Sequence, residues 1–212
     1  HTQPMSLLAI LTGIEADEVR GFISDEGLPW GVPLEALRKE MNRAGVEPSY
    51  SKPTLFRIHD NLFTLMANHQ YLVKGTNADD LSRATLEARA EVRRIVDGLR
   101  SLGGCWANLR LVSTGAQIGV REGRRIHGRY TVSADDLRNG ARHDDAVADV
   151  TFCVDIHSVD PKKDKGLHNG GIKTKPYQIP LRALIARDVD GLLLAGRCIS
   201  GDFFATGSGA AR

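Results

Sequence analysis

The chain has 212 residues, 42% hydrophobic and 25% charged, which is ordinary globular usage and enough for one sizeable domain or two small ones. Its 28 basic and 26 acidic side chains leave a net charge of +2 with no long basic run, so composition excludes a charge-built nucleic-acid surface. Three widely spaced cysteines, Cys105, Cys153 and Cys198, form no CxxC pair, which argues against a disulfide framework or a zinc knuckle and fits a reducing, cytoplasmic setting.

No run of about 18 apolar residues suggests a membrane span, and no basic-then-apolar leader opens the chain. His1 is not an initiator methionine, so the chain is expected to be processed or a piece of something longer. The oligomeric state is left open.

In chain order, "PLEALRKEMNRAG" predicts a short amphipathic helix. Pro33 is its first helical position, Leu34, Leu37 and Met41 form one face, and Gly45 is the stop. From Thr54 to Val73, β-branched and aromatic residues around an Asp60-Asn61 turn predict a hairpin or meander. The stretch "NADDLSRATLEARAEVRRIVDGLRSLGG" predicts the longest helix, capped by Asp79 or Asp80 and closed by Gly103-Gly104. Leu81, Ala88, Val92, Ile95, Val96 and Leu99 recur at helical spacing. Its arginines, Arg83, Arg89, Arg93, Arg94 and Arg100, read as a solvated face.

Strand-like pieces follow in "LRLVS", "RYTVS" and "AVADVTFCVDIH", and the Gly- and Lys-rich "DPKKDKGLHNGGIKTKP" reads as a loop before "YQIPLRALI". Leu192 to Leu194 form a continuous apolar run, the pattern of a strand covered on both faces of an α/β sheet. Ligands of such sheets lie beyond the carboxyl ends of the strands, where Gly196, Arg197, Cys198 and Ser200 stand; the alternative is an ordinary loop.

Two constellations could carry chemistry. In "GVREGRRIHGRY", glycines punctuate Arg121, Arg124 and Arg125, whose paired donors suit a phosphate, a carboxylate or an anion that develops during reaction. Surface ion pairs with Glu122 and nearby aspartates are the alternative. In "CVDIHSVD", Asp155 and His157 are two apart and share one face of a strand. A carboxylate beside an imidazole suits a general base, the reading taken first. A strand-end pair satisfied by backbone and water is taken second. A metal comes third, since further ligands would have to come from the distant His143, Asp144 or His168.

"GTNADDLSRA", "IGVREGRRIHGRY", "VDIHSVD" and "LLLAGRCISGDFFA" occur in the order seen in bacterial FAD-dependent oxidoreductases of the large two-domain flavoprotein group, which the chain resembles from "TQPMSL" to about Ala205. The resemblance implies that Ala195, Gly196, Arg197, Cys198, Ile199, Ser200, Gly201 and Asp202 lie along the flavin and ribityl chain. It also implies that the Arg cluster and Asp-x-His face a small-molecule substrate, whose hydride passes to the flavin. The G-x-G-x-x-G fingerprint that holds the pyrophosphate in such proteins does not occur.

The fold is therefore expected to be α+β to α/β, a mixed sheet with flanking helices and an incomplete FAD-dependent oxidoreductase fold. Residues 1–180 would form the substrate or cap region, and 181–212 the returning strand and loop of the FAD-binding domain. FAD is expected in the intact enzyme and weakly or not at all in this chain. The rival readings are a non-catalytic module that binds an anion or a partner, and a metal-dependent hydrolase built on Asp155 and His157.

Overall fold

A computed structural model describes residues 3–24, 26–121, 123–163 and 165–207. Glu122, named above as an ion-pair partner, lies outside them. The chain packs as two compact units, His1–Val120 with Val159–Gly166, and Arg121–Ser158 with Leu167–Arg212.

The first unit carries β1 (Ala9–Thr12), β2 (Ile23–Ser24), α1 (Gly31–Arg43), β3 (Thr54–His59), β4 (Leu62–Met66), α2 (Ala78–Ser101) and β5 (Arg110–Thr114). Its five-stranded sheet runs β2-β3-β4-β1-β5, with β2 and β3 parallel and the other neighbours antiparallel. The class is α+β: three of the four strand pairings are antiparallel, with β3 and β4 joined as a hairpin, and only the short parallel pair β2–β3 is connected through a helix, α1.

The periodic signals hold where one face is buried. Leu34, Leu37 and Met41 of α1 are buried, as are Ala88, Val92, Ile95, Val96 and Leu99 of α2, while Leu81 is only partly so. Leu37, Met41, Val92, Ile95, Val96 and Leu99 meet Leu11, Leu55, Phe63, Leu65 and Trp106 in one core. Each such side chain contributes about 1.5–3 kcal/mol relative to an exposed one. The five arginines of α2 are exposed, and Arg83 and Arg100 pair with Asp80 and Asp97 three residues earlier.

Two helix starts differ from expectation. Helix α1 begins at Gly31, so Pro33 is its third residue, where a missing N–H still costs no intrahelical bond. Helix α2 is capped by Asn77, whose side chain accepts the Asp80 N–H at 2.9 Å. Asp80 instead receives the Lys74 N–H at 3.1 Å. Asp79 and Asp80 fall in the first turn, where their charge complements the helix dipole.

The second unit holds α3 (Ala134–Asn139), β6 (Ala146–Val150), β7 (Ile156–His157), β8 (Leu167–His168), β9 (Tyr177–Pro180) and α4 (Phe203–Thr206). β6 pairs with β9 and β7 with β8, both antiparallel. Val132, Leu137, Val150, Ile156, Tyr177, Ile179, Ala183, Ile199 and Ala205 form its core.

Three strand predictions are corrected here. "RYTVS" makes one isolated bridge, Val132 to Gly201, and "AVADVTFCVDIH" breaks between Val150 and Ile156. The Leu192–Leu194 run is not a buried strand: Leu192 and Leu193 are 43% and 62% exposed, and only Leu193 makes a bridge, to Ile185. An apolar run records hydrophobicity, and among the described residues of this unit a single segment, Leu184–Ala186, hydrogen-bonds to it.

Candidate functional site

The arginine loop and the stretch after Leu194 run side by side, although they are far apart in sequence. The Ile126 N–H donates to the Cys198 carbonyl at 3.1 Å, and the Val132 N–H to the Ser200 carbonyl at 3.1 Å. The Asp202 N–H donates to the Val132 carbonyl at 2.9 Å, and the Thr131 and Ser200 hydroxyls meet at 2.9 Å. Gly128 permits this approach: a Cβ there would stand 2.6 Å from the Ser200 Cβ. The Ser200 N–H donates to the Ala183 carbonyl, which ties the stretch to the Leu181–Ala183 turn.

The predicted cofactor residues divide into an outer and an inner set. Gly196–Cys198 form a single 3₁₀ turn in which Ala195, Gly196 and Arg197 are exposed and Cys198 is half-buried. Gly196 has φ +62°, and no other atom lies within 4 Å of where a Cβ would be. Ile199 and Ser200 are each 2% exposed. Asp202 accepts the Ala205 N–H at 2.8 Å and the Ala134 N–H at 2.7 Å. Ala195–Cys198 thus form an open ledge with little side-chain bulk, anchored from behind by Ile199–Asp202. Such a ledge, with arginines beside it, fits a flat cofactor that carries phosphates.

The three arginines are not equivalent. Arg125 uses Nη1 to donate to the Gly201 carbonyl at 3.1 Å and to Thr206 Oγ1 at 3.0 Å. Arg124 is exposed, and Arg121 is half-buried and engaged within the protein.

Asp155 and His157 come together as their spacing predicts, with Asp155 Oδ1 3.4 Å from His157 Nε2. The pair is enclosed, the His157 side chain being 2% exposed and that of Asp155 13%. The Asp155 N–H donates to the Gly207 carbonyl at 2.8 Å. The Asp155 segment and the arginine loop are therefore tied to adjacent residues, Gly207 and Thr206, at the end of α4.

One cluster escaped the sequence reading. Arg182 pairs with the Asp145 carboxylate through Nη1, and its Nη2 lies 3.1 Å from His143 Nδ1. Its guanidinium also stands 4.9 Å from the centroid of the Tyr130 ring. The Tyr130 hydroxyl donates to Asp136 at 2.8 Å, and burial followed by that bond pushes its pKa up to about 12. The Tyr130 N–H donates to the Arg182 carbonyl, so this node supports the same laced segments. Its members are scattered from Tyr130 to Arg182, with no local spacing to mark them.

Among the described residues no group of three or more His, Cys, Asp or Glu is placed to hold a metal ion, and no helix is long and apolar enough to cross a membrane. No curated protein and no solved structure matches the chain. A family model described as FAD dependent oxidoreductase matches residues 1–211. With nearly every residue inside that match, and with an open glycine ledge laced to an arginine loop, the chain belongs to the FAD-dependent oxidoreductase family, whose cofactor is FAD.

Proposed function

We propose that this oxidoreductase removes a hydride from a small organic substrate, with FAD lying against the Ala195–Cys198 ledge. One observation carries the reading: Arg125 reaches across 76 positions to the Gly201 carbonyl, so the arginine loop and the ledge form one structure. When bound, FAD supplies the two-electron acceptor.

The chain's own residues position the reactants and handle charge. Ile199, Ser200, Gly201 and Asp202 hold the ledge from behind. Arg121, Arg124 and Arg125 provide positive charge for an anionic group on the substrate side. The Asp155–His157 pair takes the proton that the substrate gives up as its hydride leaves, with His157 as the base and the Asp155 carboxylate orienting its ring. In this division of labour residues 1–180 serve the substrate and 181–212 the cofactor. The partner is a small molecule in a cytoplasmic setting, with no nucleic acid and no membrane involved.

Anaerobic mixing of the FAD-loaded protein with a panel of small hydroxy acids, amines and alcohols tests the reading. Loss of absorbance near about 450 nm, where oxidised flavin absorbs, is expected with at least one class. FAD that binds and is reduced by none of them, although dithionite reduces it, would count against substrate oxidation.

A further inference from the structure

Arg125 is exposed, yet its guanidinium is fixed in orientation. Nη1 places its two N–H groups on the Gly201 carbonyl and on Thr206 Oγ1. Both acceptors are themselves held. Thr206 Oγ1 donates back to the Asp202 or Phe203 carbonyl, at 2.9 and 3.1 Å, and Gly201 lies between Ser200 and Asp202, whose N–H groups are both bonded to the backbone.

A guanidinium carries five N–H donors in one rigid plane. With Nη1 committed inward, Nε–H and one N–H of Nη2 remain as a parallel pair. That edge matches the two oxygens of a carboxylate or a phosphate. No protein acceptor meets it among the described residues. The carboxylate beside Gly201, that of Asp202, spends both oxygens on the Ala134 and Ala205 N–H groups and makes no ion pair with Arg125. Arg124, next in the chain and exposed, adds a second positive charge.

We infer that the Nε–Nη2 edge of Arg125 is an oxyanion site that takes two oxygens of a carboxylate or phosphate. Because Nη1 already holds the plane in place, binding gives up less side-chain freedom than it would at a mobile arginine. The source of the anion rests on the function proposed above: either a carboxylate of the substrate or the pyrophosphate of FAD. The oxyanion chemistry itself does not depend on that reading.

Calorimetric titration of the protein with succinate and with inorganic pyrophosphate, each with and without saturating FAD, tests the inference. Succinate binding that persists with FAD present assigns the edge to a substrate carboxylate. Pyrophosphate binding that FAD abolishes assigns it to the cofactor. In either case Arg125→Lys, which keeps the charge and loses the parallel donors, is expected to weaken the bound anion by about ten-fold or more. Wild-type affinity in that variant, or no binding of either anion to the wild type, overturns the site.

Circular dichroism reports whether Arg125→Lys folds. If it does not, Thr206→Val decides: it removes one acceptor that orients Nη1, so a weaker anion supports the site and an unchanged anion overturns it. These heats are read without turnover, so anion binding in a protein that oxidises nothing refutes the proposed function and leaves the site standing.

Discussion

The Asp202 carboxylate accepts the backbone N–H of Ala134 at 2.7 Å, which joins the start of α3 to the stretch proposed to carry FAD. Its other oxygen accepts the Ala205 N–H at 2.8 Å, in α4. One side chain thus satisfies an orphan donor in each of two helices that share a core. Asp202→Ala is expected to cost about 1–3 kcal/mol, the range for losing a capping side chain together with a further backbone bond. Urea unfolding would measure it. Titration should also show weaker FAD, because the residues before Asp202 lose their anchor.

Two glycines are expected to fail in different ways. At Gly128 a Cβ would meet the Ser200 Cβ at 2.6 Å and the Tyr130 carbonyl oxygen at 2.9 Å. Gly128→Ala therefore pushes the arginine loop off the Ser200 segment and should lower the unfolding midpoint clearly. At Gly196 the space is open and only the left-handed backbone resists a side chain, at about 1–2 kcal/mol. Gly196→Val should keep the fold and lose FAD affinity, since its side chain would fill the ledge. If FAD binds Gly196→Val as tightly as wild type, the ledge does not face the cofactor.

What was legible in the sequence was what periodicity and adjacent residues decide. Helix α2 shows its apolar stripe and its terminal glycines, the hairpin shows its turn, and the Asp155–His157 contact follows from a spacing of two. What was not legible depends on partners distant in the chain. Arg125 and Thr206 are 81 positions apart, and Arg182 and Asp145 are 37 apart. Local pattern cannot say which of several arginines turns inward. Nor did it separate Asn77 from two neighbouring aspartates as the cap, because all three are good capping types and only backbone geometry selects among them. The Leu192–Leu194 run reads as a core strand because hydrophobicity is in the sequence, whereas the layer that covers a strand is set by topology.

In the first unit Glu91 is 6% exposed, and burial pushes its carboxyl above the ordinary value of 4.5. The Ser49 N–H and hydroxyl, donating at 2.7 and 2.8 Å, offset part of that rise. A folded pKa above the unfolded one means that this group stabilises the fold fully below the unfolded pKa. That contribution is lost as pH rises through the folded pKa. Glu91→Gln stays neutral at every pH. Its stability relative to wild type should therefore improve between pH about 4 and about 7. Denaturant midpoints of both proteins at the two pH values check the sign, and a constant difference would show that Glu91 does not titrate in that window.

The enclosed Asp155–His157 pair separates catalysis from support. As proton acceptor it should be needed for turnover and little needed for binding, so His157→Gln should lower kcat by about 10²–10⁴-fold, the span typical of general acid–base groups. KM and FAD affinity should stay close to wild type. Asp155→Asn keeps the backbone N–H that donates to the Gly207 carbonyl and removes only the charge that orients the ring, so its loss should be smaller and should change the pH profile of kcat. A purely supporting pair behaves otherwise. Both variants would then unfold at lower denaturant and, at temperatures where they remain folded, turn over at the wild-type rate. Rapid-mixing kinetics beside an unfolding curve for each variant distinguishes the two cases.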